Sequence, residues 1–305
     1  EYFDISPSDG QVAYITQNQL FLINSDGSGR TLLIDGGLVD EQSKAYHFSR
    51  KLNGVNWSPG GEMLAYGLDG IHFYLLSEQS DLHVVQNTIL EDTEGELRPT
   101  ELYSPVSWSP DGSRILLEVG LVEGGSLAVF HLESGALVRL GSDGIVCCHP
   151  AWSPESDSVL VASPTIGVLP AGLWRFDAET GREIELIHHT SDDGTLNFAS
   201  WPLQLQNGEL RYFFNNMPAF PEGEVSMVMV KAGNDAVSER TPIRIEYWLN
   251  YEVLWAEDGS LAIAVQPATG VPPGWPRTGP ILLIPANSDA VIPLAGNGYS
   301  LRWGP

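Results

Sequence analysis

Six of the nine tryptophans in this chain recur at nearly even intervals, and the best of them sit in one repeated phrase: Val55-Asn56-Trp57-Ser58-Pro59-Gly60-Gly61, Val106-Ser107-Trp108-Ser109-Pro110-Asp111-Gly112 and Pro150-Ala151-Trp152-Ser153-Pro154. Weaker copies follow at Ser200-Trp201-Pro202, Leu254-Trp255-Ala256-Glu257-Asp258-Gly259 and Arg302-Trp303-Gly304-Pro305, and Ile5-Ser6-Pro7-Ser8-Asp9-Gly10 opens the series. The intervals of 44 to 54 residues are those of a radial array of small β-sheet blades, in which each repeat is one supersecondary unit.

Each repeat has the same grammar. An apolar strand ends in Trp, a tight turn follows, and two or three strands rich in β-branched and aromatic residues complete the unit. In Ser109-Pro110-Asp111-Gly112 the proline presets φ at the first turn position, while Asp-Gly supplies a side-chain acceptor and a positive φ. Strands are expected at Arg114 to Val119, Ser126 to Leu132 and Ala136 to Leu140, and at matching places in the other repeats. The units run over about 1–40, 54–90, 105–142, 149–190, 197–246 and 251–298 of a single domain. A four-stranded sheet cannot bury both faces alone, so neighbours must pack face to face, with Trp57, Trp108, Trp152, Trp201, Trp255 and Trp303 as the anchors between them. Seven first-strand motifs serve six sets of outer strands. The surplus is expected to be a closing strand at 299–305 that pairs with the N-terminal unit and removes the open edges.

The Trp-Ser-Pro-Asp-Gly turn, followed by an apolar strand and a strand ending near Asp177-Ala178-Glu179-Thr180-Gly181 or Leu132-Glu133-Ser134-Gly135, resembles the TolB-type or WD-repeat-like β-propeller family. The likeness covers essentially the whole chain, strongest in repeats two to four and weakest in five. It implies an all-β, six-bladed β-propeller of four-stranded antiparallel blades. It also implies a binding face opposite the Trp-linked turns, built from loops that join one blade's outer strand to the next blade's inner strand.

With 39 acidic and 15 basic residues, a net charge of −24 and an isoelectric point near 4.4, the chain repels phosphate backbones and anionic membranes. Nucleic acid is therefore excluded as a partner, leaving basic proteins, cations or neutral ligands. No run of 18 apolar residues is present, so no transmembrane segment is expected. The sequence opens on Glu1 without a methionine or an apolar leader, as expected of a processed protein. Together with the family likeness this gives an extracytoplasmic expectation: secreted, periplasmic or surface-anchored.

The blade-to-blade loops are long, at Asp35 to Asn53, Asn87 to Ser104, Gly141 to His149 and His188 to Asn197, and long connections commonly carry function. By the family geometry they gather at one channel mouth. Candidate binding residues there are His47, Arg98, Cys147, Cys148, His149, His188, His189, Asp192, Asp193, Tyr251 and Tyr299. His47, His149, His188 and His189 offer imidazoles for a metal ion, although none of them shows a sequence spacing typical of metal ligands. Adjacent Cys147 and Cys148 are either free thiols or a vicinal disulfide. Tyr247, Trp248, Tyr251, Trp275 and Tyr299 read either as packing residues or as a sugar- or peptide-binding platform. His72, His83 and His131 fall inside predicted strands and read as structural.

Gly-x-Ser-x-Gly, His-Glu-x-x-His, the phosphate-cradling glycine loop and the sialidase Ser-x-Asp-x-Gly-x-Thr-Trp box are all absent. The sequence thus points to a non-catalytic scaffold for another protein, with no cofactor. The alternative is a propeller enzyme or carbohydrate-binding protein with a metal at the mouth, taking a small ligand or glycan.

Overall fold

The computed structural model describes residues 2–38, 51–91, 97–120, 125–141, 150–163, 172–218, 228–233, 240–247, 250–267 and 278–304. Its residues form two compact units, Glu1–Cys147 with Trp303–Pro305, and Cys148–Arg302. All regular structure among the described residues is β, in six antiparallel sheets with a core of four strands each. No described helix is long and apolar enough to cross a membrane.

The first unit holds three sheets. The first is built from β1 (Tyr2–Ile5), β2 (Val12–Thr16), β3 (Gln19–Ile23) and β4 (Thr31–Asp35), and the second from β5 (Asn53–Trp57), β6 (Met63–Gly67), β7 (Gly70–Leu75) and β8 (Ser80–Gln86). The third has β9 (Thr88–Glu91), β10 (Leu97–Trp108), β11 (Arg114–Gly120), β12 (Gly125–His131) and β13 (Leu137–Leu140). The second unit contributes β14 (Ala151–Trp152), β15 (Ser158–Ser163), β16 (Gly172–Asp177) and β17 (Glu183–Ile187) as the fourth sheet. The fifth is β18 (Leu196–Gln204), β19 (Leu210–Met217), β20 (Val228–Ala232) and β21 (Thr241–Tyr247); the sixth is β22 (Glu252–Trp255), β23 (Leu261–Val265), β24 (Gly279–Pro285) and β25 (Ile292–Gly298). Every sheet is a meander of adjacent hairpins, so one end carries the turns after the first and third strands. The other end carries the turn after the second strand and the link to the next sheet.

The turns show why the repeated phrase reads as it does. Gly112 N–H donates to Ser109 O at 2.9 Å with Gly112 at φ +71°, and the Ser109 hydroxyl, 2.7 Å from Asp111 Oδ1, accepts from Arg114 N–H at 3.0 Å. Ser58 and Ser153 repeat that hydroxyl bond to Met63 and Ser158. The buried serine thus supplies an acceptor to the first N–H of the returning strand, beneath a turn whose other residues are largely exposed.

The tryptophans seal the seams within each unit. Trp57 (6% exposed) packs with Ala13, Ile15 and Leu20 of the first sheet, and its main-chain N–H donates to Asp4 Oδ2 at 2.8 Å. Trp108 lies 5.2 Å from the Phe73 ring of the second sheet, and its indole N–H donates to Asn56 O at 3.1 Å. Trp255 repeats this one unit later, 5.7 Å from Phe213 and donating to Trp201 O at 2.9 Å. Trp152 and Trp201 are half-buried.

Three places differ from the sequence expectation. In the fifth sheet the turn does not follow Trp201. Trp201 takes φ +53°, the β18–β19 register shifts between Ser200 and Leu203, and the turn falls at Leu205-Gln206-Asn207-Gly208, with Gly208 N–H donating to Leu205 O at 2.8 Å. Pro202 lacks an N–H and sits where the ladder is interrupted, which moves the turn downstream.

The expected loop Asn87 to Ser104 is instead largely a β-hairpin. The first half of β10 pairs with β9 and the second half with β11, so the third sheet has a fifth strand. Its two prolines, Pro99 and Pro105, both fall beside register shifts. The Glu101 carboxylate takes the Tyr103 hydroxyl at 2.6 Å and pairs with Arg139. Tyr103 donation, opposed by burial and reinforced by Arg139, holds Glu101 below the usual carboxylate range. Burial, with Glu101 alongside, pushes the Tyr103 hydroxyl up to about 12.

The closing strand does not form a ladder over the described residues 299–304. The C-terminal residues nevertheless belong to the first unit, where a Cβ on Gly304 would stand 3.7 Å from Ile5 Cδ1. Trp303, expected as an anchor, is 46% exposed.

His72 and His83 are parts of a polar cluster on the second sheet. Their rings stack at 4.3 Å, Asp81 Oδ2 lies 3.0 Å from His72 Nδ1, and the fully buried Tyr66 donates its hydroxyl to Asp81 Oδ1 at 2.7 Å. Burial raises the Asp81 pKa, but the hydrogen bonds from His72 and Tyr66 and the charges of both imidazoles outweigh it, and the net shift is downward.

Two predictions follow from this packing. Trp108→Ala should cost about 3–5 kcal/mol in urea denaturation, and Trp303→Ala about 1 kcal/mol or less; equal costs would refute the seam assignment. Because the folded pKa of Asp81 is depressed, its stabilisation is present above its unfolded value and lost as pH falls through the folded one. Asp81→Asn should therefore be less stable at neutral pH and lose less stability than the parent below about pH 4, read from urea midpoints at each pH.

Candidate functional site

At the loop end of the fourth sheet, β17 leads into a short connection that returns as β18. Asn197, near the start of β18 and 7% exposed, holds this connection in place. Its side-chain amide donates to His188 O at 2.8 Å and its main-chain N–H to His189 O at 2.9 Å. Its Oδ1 accepts from the Ser191 hydroxyl at 3.0 Å and from Asn216 Nδ2 at 2.9 Å. A turn over Ser191–Gly194, with Gly194 N–H donating to Ser191 O at 2.9 Å, leads on to an isolated bridge between Thr190 and Leu196.

This frame places His188 and His189 beside Glu185 of β17. His188 Nε2 lies 4.0 Å from Glu185 Oε2, His189 Nδ1 lies 3.9 Å from Glu185 Oε1, and the imidazoles stack at 4.4 Å. The three groups offer ligand atoms within 4.8 Å of one another. Their side chains are 61%, 44% and 37% exposed for His188, His189 and Glu185, so solutes reach them directly.

Of the residues singled out in the sequence, His188 and His189 are brought together. Asp193 serves its own turn: its Oδ1 takes the Thr195 hydroxyl at 2.6 Å and the Thr195 N–H at 3.0 Å, and these two bonds hold its carboxyl below the usual range. Asp192 is an exposed member of the same turn. Arg98 lies on β10 opposite Leu90. Tyr251 is half-buried at the start of the sixth sheet, its N–H bonded to Val265 O at 2.8 Å, and Tyr299 is 47% exposed. His47, Cys147, Cys148, His149, Trp248 and Trp275 lie outside the described residues.

The sequence reading missed Glu185, because it sits inside an ordinary strand and its relation to the histidines appears only when the chain curls at the strand end. It also missed a cleft of about 440 Å³ at the turn end of the second unit, lined by Arg211, Lys231, Asp258, Ser260 and Asn287. There Arg211 is engaged by Glu209 at 2.9 Å and by Gly259 O, leaving Lys231 as its exposed cation.

No sequence-family model matches the chain. Among solved structures it superposes on TolB from Acinetobacter baumannii with a TM-score of 0.53 at 14% identity, over 94% of this chain and 64% of that one. It therefore spans about two thirds of the TolB chain. The fold is a six-bladed β-propeller, the architecture that TolB shares. An oligogalacturonate lyase in complex with manganese gives a TM-score of 0.66 at 13% identity, covering 96% of this chain and 76% of that one. An oligogalacturonate lyase from Vibrio parahaemolyticus gives 0.63 at 12%, with the same coverage. At these identities the propeller likeness concerns architecture, and the six sheets described above are its six blades.

The Asn197 frame makes a prediction. Asn197→Ala removes the side-chain donor to His188 O and the acceptor shared by Ser191 and Asn216, which keep their mutual 2.8 Å bond, and should cost about 1–3 kcal/mol. It should also speed proteolytic cleavage between 188 and 195, read by mass spectrometry, while the Asp192→Ala cleavage pattern stays at the parent level.

Proposed function

We propose that this propeller is a non-catalytic, extracytoplasmic scaffold that docks a basic partner protein through the loop ends of its blades. The observation that carries the reading is the β9–β10 hairpin. It adds a strand to a finished blade at the loop end, leaves the outer edge of β9 unpaired among the described strands, and presents Leu90 at 58% exposure. Leu38, at the loop end of the first blade, is 93% exposed. Unpaired strand edges and exposed apolar side chains are the elements protein partners use. The net charge of −24 favours a partner of opposite sign and speeds its encounter at low salt. The extracytoplasmic placement rests on the likeness to TolB and is read by fractionating the native cells.

The test is a pull-down from envelope extract followed by surface plasmon resonance with the captured protein. Leu90→Glu is expected to weaken binding at least about tenfold, equal to about 1.4 kcal/mol, with little change in urea midpoint. The association rate should fall as salt rises. Recovery of no partner, with the isolated chain binding only a small molecule, would overturn the reading.

A second reading, a metal-containing propeller enzyme or carbohydrate-binding protein, is favoured by one observation, the convergence of Glu185, His188 and His189.

A further inference from the structure

We propose that Glu185, His188 and His189 form a binding site for a divalent transition-metal ion of the zinc class at the loop end of the fourth blade. The proposal does not depend on the docking reading, and it differs from the histidine set suggested by sequence in taking its carboxylate from β17.

Three observations support it. The first is the donor set: two imidazole nitrogens and a carboxylate oxygen suit zinc, copper or nickel, whereas calcium and magnesium prefer all-oxygen sites. The second is distance. Bonds of about 2.0–2.1 Å in a tetrahedral zinc site put neighbouring donors about 3.3 Å apart. The observed 4.0 Å from His188 Nε2 to Glu185 Oε2 and 3.9 Å from His189 Nδ1 to Glu185 Oε1, with one donor atom of each residue within 4.8 Å of the others, lie within reach of that spacing by rotation of exposed side chains.

The third is the support behind the ligands. His188 Nδ1 lies 3.0 Å from Thr190 O and 3.2 Å from Thr190 N, so the tautomer decides whether it donates to the carbonyl or accepts from the N–H. When that nitrogen carries the proton and donates to the carbonyl, Nε2 presents its lone pair on the side of Glu185. A metal-bound imidazole is commonly oriented in this way, its second N–H held by a backbone carbonyl. The Asn197 bonds to His188 O and His189 O fix the main chain of both ligands before an ion arrives. Three protein ligands leave at least one coordination position open to water or to a donor from another molecule. The strongly acidic chain raises the local concentration of cations around the site.

The test uses the full chain, stripped with a chelator and with its two cysteines alkylated so that thiolates add no equivalent. Zinc chloride alone is titrated by calorimetry, and cobalt(II) is titrated in parallel to read the visible spectrum. One zinc equivalent is expected, together with a tetrahedral cobalt band. The His188→Ala/His189→Ala variant should lose both, and Glu185→Gln should weaken zinc at least about tenfold. His72→Gln, a histidine of the second blade engaged by Asp81, should bind like the parent. Because the three ligands are exposed, folding of each variant is confirmed by near-UV circular dichroism. An undiminished equivalent in the double-histidine variant, or none in the parent, would overturn the site. Neither result bears on capture of a protein partner.

Discussion

The structure depends on an indole that does two jobs at once. A four-stranded sheet with two apolar faces is stable only when covered, and the ring of each seam tryptophan fills the space between its own sheet and the one before it, as Trp108 does against Phe73 and Trp255 against Phe213. Apolar contact alone would let the sheets slide. The indole N–H removes that freedom by finding one carbonyl on the neighbouring inner strand, Asn56 O or Trp201 O. At these two seams neighbouring blades are thus pinned in height as well as held together, and at the first seam the Trp57 main-chain N–H does this through Asp4.

Much of this was legible because the signals are local. A serine, a proline and an Asp-Gly within five residues encode a turn without reference to distant chain, and Gly112 and Gly10 take the positive φ (+71° and +72°) that those phrases require. What escaped was non-local. The Asn207-Gly208 turn was present in the sequence, but it was uncoupled from its tryptophan by the interruption at Trp201-Pro202. The run Thr88 to Glu91 reads as strand only once a partner is known, and Pro99, which has no N–H to donate, is accommodated by the register shift beside it. The C-terminal tryptophan repeats the motif yet stands half exposed, because a motif records a position along the chain and not the surface that meets it.

The candidate site shows the same division. Histidines 188 and 189 were visible as loop residues, but their chemistry is set by Glu185, which sequence alone places in a regular strand, and by Asn197, whose amide makes the connection rigid. The neighbouring Asp192-Asp193 pair looked equally rich in ligands, and Asp193 proves to be committed to shaping its own turn. A carboxylate already accepting two hydrogen bonds from one residue is less available to an ion than one facing two imidazoles.

The twelve-residue β10 has a mechanical consequence. One strand belongs to the β9–β10 hairpin over its first half and to the blade over its second, and it ends on Trp108, the side chain that seals the seam with the preceding blade. A load applied to β9 passes along this single backbone into the joint between the second and third blades, braced on the way by Glu101 and Arg139.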